Sequence, residues 1–330
     1  MIFSWAGGKV CNMNEKINYK EIIEKYPWLI QKEQNCIISP DADGMLCGLF
    51  MSHFLNWKIV GYYDNGKNLI LKNNIKVKDC IFLDTEIYRP NIKSIGHHIS
   101  LLRQNNTEIN LSNYSSCLNP NNLRYRTFKE NFSKKYPMGT IHLLISIIGS
   151  VKDIEFSDES FFVVLQADGT INRFLDRYSE NLRDWLLYLG AENSGHVLNR
   201  MLSKETTLLK INKEYVEYIQ RFVKEKKDKI LISEKNIIKK SSFNLYKTSF
   251  SDICIQSTTD YLGFLSENTG WEFDKSRWTF DDFCLYEFTK KIVKPGVRTF
   301  NKAVQENFLS LAITGNVSME YTLEQPDVLP

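Results

Sequence analysis

Asp41 and Asp43 stand one residue apart in the segment Ser39-Pro-Asp-Ala-Asp-Gly44, directly after the apolar run Cys36-Ile37-Ile38. An apolar run that feeds an acidic turn with glycine behind it reads as a buried strand ending at a helix start. In a parallel α/β sheet, ligands bind beyond the carboxyl ends of the strands. Two carboxylates meeting there repel one another unless a cation neutralises them, which makes a divalent metal the natural occupant. Asp-x-Asp-Gly also occurs in calcium loops and solvated turns, so the segment takes its meaning from the residues downstream of it.

Three later segments repeat the theme. Cys80-Ile-Phe-Leu-Asp84 and Phe161-Phe-Val-Val-Leu-Gln-Ala-Asp168 read as apolar strands closing on an acid, and Ile95-Gly-His-His-Ile99 sets His97 and His98 at the end of another. Carboxylates and imidazole gathered on one rim suit Mn²⁺ or Mg²⁺ better than a thiolate-rich zinc site.

In this order, Asp41-Ala-Asp-Gly44, Asp84, the pair His97-His98 and Asp168 resemble the motifs of the DHH phosphoesterase superfamily, within it the RecJ-like single-strand exonucleases. Asn119-Pro-Asn121, followed by Tyr136-Pro-Met-Gly139 and an apolar helix, is a softer match to the segment after the histidine pair. The resemblance covers roughly residues 35–190, about half the chain. It implies a two-ion site using Mn²⁺ or Mg²⁺, in which Asp41 holds one ion, Asp43, His97 and Asp168 hold the other, and Asp84 bridges them. His98 would then lie beside the phosphate or give a proton to the leaving group. Three features depart from the family pattern: Ser39 where His or Asp is usual, Gly96 in place of the acid before the histidines, and no Gly-rich, His-containing signature in the C-terminal half.

The implied activity is hydrolysis of phosphodiester bonds in single-stranded DNA or RNA, from an end. Two ions roughly 3.5–4 Å apart can activate water, neutralise phosphoryl oxygens and assist the leaving oxygen. Two alternatives stay open. One is a phosphodiesterase for short oligonucleotides or cyclic dinucleotides; the other is a catalytically impaired nucleic-acid- or nucleotide-binding subunit of a larger complex.

These residues need a sheet to bring them together. Strands are expected at 36–38, 58–63, 79–83 and 95–98, alternating with helical patterns at 18–26 and 45–55, which argues for βαβ units. The fold class is therefore α/β, a mostly parallel sheet with a second, smaller α/β domain across a cleft. Residues 1–200 are assigned to the phosphoesterase-like domain, with its core at about 35–190, 201–229 to a connecting helix, and 230–330 to the small substrate-binding domain. Residues 103–122 form a long polar connection, 139–148 a buried helix and 172–189 an amphipathic one; 230–232, 243–246 and 253–255 read as short β segments.

The remaining properties bound the function. The 330 residues are 43% hydrophobic and 25% charged, with a net charge of +3, which neither demands nucleic acid nor excludes it. Seven cysteines without C-x-x-C spacing suggest buried free thiols in a reducing cytoplasm. No run approaches about eighteen apolar residues, and neither a secretion signal nor a membrane span is expected. The aromatic tail, Trp271, Phe273, Trp278, Phe280, Phe283, Tyr286 and Phe288, is interleaved with Lys275, Arg277, Lys290, Lys291, Lys294 and Arg298. Rings and cations so arranged either stack bases and track phosphates or form the small domain's core. His53 and His196 are read as structural or exposed, and His142, on the apolar helix after Pro137, as a satisfied core histidine.

Overall fold

The computed structural model describes residues 16–64, 66–155, 157–175, 178–202, 237–240 and 247–324. The N-terminal part runs α1 (Tyr19–Lys25), β1 (Asn35–Ile38), α2 (Ala42–Leu55), β2 (Lys58–Tyr63), β3 (Asn68–Lys72), β4 (Cys80–Leu83), β5 (Lys93–Ile95) and β6 (Cys117–Leu118). Short helices α3 (Pro120–Leu123) and α4 (Phe128–Asn131) lead to α5 (Thr140–Gly149), α6 (Asp158–Leu165), α7 (Thr170–Leu175) and α8 (Ser179–Tyr188). The C-terminal part holds β7 (Ile237–Lys240), β8 (Lys247–Phe250), α9 (Asp252–Thr269), β9 (Phe283–Glu287), β10 (Thr289–Val293), α10 (Val297–Gln305), β11 (Ser310–Gly315) and β12 (Ser318–Leu323).

Cys36, Ile37 and Ile38 have no exposed surface, as expected of a central strand covered on both faces. The main sheet has the order β6-β5-β4-β1-β2-β3-β9-β8-β7. From β6 to β2 the pairings are parallel, and from β2 to β7 antiparallel. Register matters most for function. Ile38 pairs with Leu83, Leu83 with Ile95, and Ile95 with Leu118. The next residue along each of these four strands, Ser39, Asp84, Gly96 and Asn119, therefore leaves the sheet beside the others at one edge.

Two differences from the sequence reading share a cause. Asp168 does not end a strand: Phe161–Leu165 belongs to α6, and Asp168 lies in the kink between α6 and α7 with φ 49°. Likewise Ile253–Ile255 is helical, inside α9. A short apolar run is ambiguous between strand and buried helix by periodicity alone. The deciding signal is the cap: the hydroxyl of Ser157 accepts from Ser160 N, and that of Ser251 from Cys254 N. The amphipathic pattern of 172–189 is split between α7 and α8. The expected connecting helix 201–229, from residue 203 onward, and the β segments 230–232 and 243–246 lie outside the described residues.

β8 and β9 extend the main sheet, and Phe250, Trp271, Trp278 and Phe283 share one core with Leu46 and Phe50 of α2. Four rings of the aromatic tail, Trp271, Trp278, Phe280 and Phe283, are thus core residues, not stacking platforms. Three of the tail's six cations are engaged too: Arg277 donates to Ser52 O at 2.7 Å, Lys290 pairs with Glu320 at 2.6 Å, and Lys291 with Glu306 at 2.8 Å. β10, β12 and β11 make a separate three-stranded sheet. With α10 it buries Phe300, Phe308, Met319 and Tyr321 against Tyr88, Ile99, Leu102 and Tyr114. No helix among the described residues is long and apolar enough to cross a membrane. The six described cysteines are buried free thiols.

Because Phe283 is fully buried against Tyr62 and Phe250, Phe283→Ala is expected to cost about 3–5 kcal/mol. Urea unfolding should show a lower midpoint with an unchanged slope. A wild-type midpoint would mean that the C-terminal strands do not share the main core.

Candidate metal centre

Asp43 is carried by the first turn of α2, whose N-cap is Asp41. The Asp41 carboxylate accepts from Gly44 N at 3.1 Å, closing that turn. A side chain at 44 would overlap the oxygens of Ser39, so only glycine lets the helix start this close to the strand end. Asp43 is nearly without exposure, and α5 holds it from the opposite side: Thr140 N and Ile141 N donate to its two oxygens at 2.6 and 3.0 Å. These are first-turn amides with no partner inside the helix, pointed at an anion. Gly139, the N-cap of α5, is what permits the approach, since a Cβ there would lie 2.8 Å from Asp43 Oδ1.

Asp84 leaves β4 in the left-handed region at φ 62°, which turns its carboxylate toward Asp43. Thr140 Oγ1 donates to Asp84 Oδ1 at 2.8 Å and lies 2.9 Å from His97 Nδ1. A hydroxyl has one hydrogen, so with Thr140 donating to Asp84 the His97 Nδ1 must be protonated and donate to Thr140. The other ring nitrogen, Nε2, is in close contact with Asp168. The His97 ring therefore sits among three carboxylates, with Nδ1 3.3 Å from Asp84 and 3.6 Å from Asp43. One ligand atom from each of Asp43, Asp84, His97 and Asp168 lies within 4.8 Å of all the others.

Asp41 joins the rim through Ser39, whose hydroxyl lies 2.7 Å from Asp41 Oδ1 and 2.6 Å from Asp84 Oδ2. One hydrogen cannot serve both carboxylates fully, so a proton or a cation is needed between them. His98 is turned toward Glu86, with its Nδ1 3.3 Å from Oε2, and it offers a ring nitrogen within 4.8 Å of ligand atoms of Asp84 and His97. The sequence-predicted residues Asp41, Asp43, Asp84, His97 and Asp168 thus meet on one rim, with His98 beside them. Sequence pattern alone does not mark Thr140 or Glu86 as site residues. Asn121, within the softer motif, braces the histidine turn against the segment before α5. Its side chain donates to His97 O at 2.6 Å and accepts from Tyr136 N at 2.8 Å.

The electrostatics show what this gathering costs. Burial first, then the charges of Asp84 and Asp168, push Asp43 well above the usual carboxylate range. Burial and the Asp84 charge raise Asp41 to about 6. For Asp84 and Asp168 burial works in the same upward direction, but the charge and hydrogen bond of His97 outweigh it and both end low. For His97, burial is outweighed by Asp168 and then Asp84, and the ring is held well above its ordinary value. A protonated imidazole at His97 would supply positive charge that the carboxylates need. A divalent cation held by the same groups would supply more of it. Three carboxylates and one imidazole fit a hard ion such as Mn²⁺ or Mg²⁺. The nearby Cys47 thiol is kept neutral by burial and then by the Asp43 charge, so it adds no thiolate.

The other histidines lie outside the cluster, and buried His142 has Nδ1 3.2 Å from Gly139 O while its Nε2 meets no hydrogen-bond partner among the described residues. His142 is fully buried and pushed down to about 4 by burial. His53 accepts from Glu272 N at 2.9 Å, and His196 from Leu198 N at 3.1 Å. No family model matches the chain, and no curated protein or solved structure does so either.

Cation binding must displace the proton from His97 and any proton on Asp41 or Asp43. These pKa values are raised in the folded protein, so the competing protons leave as pH rises and affinity should rise with it. Calorimetric titration with Mn²⁺ at pH 6 and pH 8, in buffers of differing ionisation enthalpy, should show tighter binding at pH 8 with net proton release. Binding of equal strength at both values and without proton release would contradict this arrangement.

Proposed function

We propose that the chain is a metal-dependent phosphodiesterase acting on a short oligonucleotide or on the end of a single strand. The convergence of Asp43, Asp84, His97 and Asp168 carries this reading. Asp168 is the exposed member of the set, so the cluster is open on one side, as a catalytic metal site must be. A Mn²⁺ or Mg²⁺ ion held by Asp43, Asp84, His97 and Asp168 would supply charge neutralisation at the phosphoryl oxygens and acidify water.

The chain's own groups fit a phosphate. A cavity of about 200 Å³ beside the cluster is lined by His97, His98, Lys135, Tyr136, Asp168 and Arg173 among others. Burial, and after it the positive charge of Arg173, lowers the Lys135 pKa. Two cations close enough to oppose each other's charge favour an anion between them. A second cavity, of about 180 Å³, is lined by Thr85, Glu86, His98, Lys290 and Tyr321 among others. His98 and Thr314 border both cavities. Two spaces meeting at His98 suit a diester, with one part of the substrate on each side of the scissile phosphate and His98 placed to move a proton at the leaving oxygen.

Substrate length separates the two enzymatic possibilities. The case for threading a long strand rests on the aromatic and basic tail, and most of those rings are in the core while several of the cations are paired. The small-substrate reading therefore gains. Ser39 and Asp41 offer a poorer second ion site than the four-donor cluster, so one ion is expected to bind tightly and a second weakly or with substrate.

Asp84→Ala should abolish Mn²⁺-dependent hydrolysis while leaving the fold intact, because Asp84 lies at the edge of the sheet and not within its apolar core. Against single strands of increasing length, wild-type efficiency should level off at two to four nucleotides, not climb over the roughly 4–16 nucleotide span of a strand-binding fold. Wild-type turnover by the variant would refute the site assignment. Efficiency that keeps climbing to long strands would restore the threading exonuclease, and tight nucleotide binding without product under any divalent ion would indicate an impaired binding subunit.

A further inference from the structure

Residue 96 lacks a side chain, and the space beside it is filled from the segment that follows β4. A Cβ on Gly96 would lie 2.6 Å from Cδ of Glu86, well inside van der Waals contact. Glu86 reaches this point from just beyond the end of β4, and only 3% of its surface is exposed. A carboxylate taken out of water is costly unless its oxygens are supplied with donors. Here Oε1 accepts from His98 N at 2.6 Å and from Asn119 Nδ2 at 3.1 Å, and Oε2 lies 3.3 Å from His98 Nδ1. The Asn119 side-chain amide also donates to His98 O at 2.7 Å, so backbone and ring of His98 are gripped together.

We propose that Glu86 is the positioning carboxylate for His98, supplied from the segment after β4 into the room left by glycine at 96, where the histidine motif carries no acid of its own. Which nitrogen of an imidazole faces a ligand is set by the bond the other nitrogen makes. With Nδ1 turned to Glu86, Nε2 is the atom left to face the two cavities that His98 borders. Replacing the carboxylate with an amide makes a directional test possible. His98 N and Asn119 Nδ2 both donate to Oε1, so a glutamine at 86 must keep its oxygen there. Its NH₂ then faces His98 Nδ1, which must become an acceptor, and the ring proton moves to Nε2.

The experiment is ring-nitrogen NMR on the ¹⁵N-histidine-labelled full chain, which contains five histidines, with His98 identified by loss of its signals in His98→Asn. At alkaline pH, where the ring is neutral, the wild type should show His98 protonated at Nδ1, and Glu86→Gln should show it switched to the Nε2–H form with the other histidines unchanged. A swap of the acid's position adds a test of location. Gly96→Asp alone should lower the thermal midpoint through collision with Glu86, and Glu86→Ala with Gly96→Asp together should recover both stability and a single His98 tautomer. An unchanged His98 spectrum in Glu86→Gln, or strictly additive midpoints in the swap, would overturn the proposal. The catalytic consequence alone rests on the phosphodiesterase reading: Glu86→Gln should lower kcat by roughly 10–100-fold with little change in KM. A wild type without hydrolysis would sink that reading, and the tautomer switch would still decide the placement of Glu86.

Discussion

Asp43 and Asp84 are buried carboxylates held within reach of the same imidazole, and their mutual repulsion is the constraint around which this end of the molecule is arranged. An unpaired buried carboxylate costs several kcal/mol. Here the cost is offset group by group. The first amides of α5 donate to Asp43, Thr140 links Asp84 to His97, and Ser39 lies between Asp41 and Asp84. Hydrogen bonds to charged groups contribute about 1.5–3 kcal/mol each. Glycines at 44 and 139 are the steric condition for this arrangement, because a side chain at either would strike the oxygens it brings together.

Sheet register delivers the parts. Since Ile38, Leu83, Ile95 and Leu118 are laterally paired, the next residue of each strand emerges at the same edge although they are far apart in sequence. The left-handed conformations of Asp84 and Asp168 then aim two carboxylates inward at a conformational cost. Such outliers persist where surrounding structure fixes them, and both occur in the cluster.

Much of this is legible in the chain. Strands β1, β2 and β4, the helix start at Asp41 and the acids after Ile38 and Leu83 all come from apolar runs meeting polar turns. Asp168 is legible as a residue but not as an element, because Phe161–Leu165 is apolar on nearly every side and the cap at Ser157 is the feature that decides. Glu86 and Thr140 escape a sequence reading because their roles depend on what is absent nearby: Gly96 makes room for one, and the open start of α5 places the other. The aromatic tail misleads for a related reason. Rings interleaved with cations look alike whether they line a groove or a core, and only the pairing of β9 with β3 buries Phe283 and its neighbours.

If the carboxylates are assembled for a cation, the ion should be visible among them. The most direct measurement is an anomalous difference map at the manganese edge from crystals grown with Mn²⁺. A peak within bonding distance of Asp43, Asp84, His97 and Asp168 is the predicted result. A map with manganese at other carboxylates and none in this cluster would contradict the account.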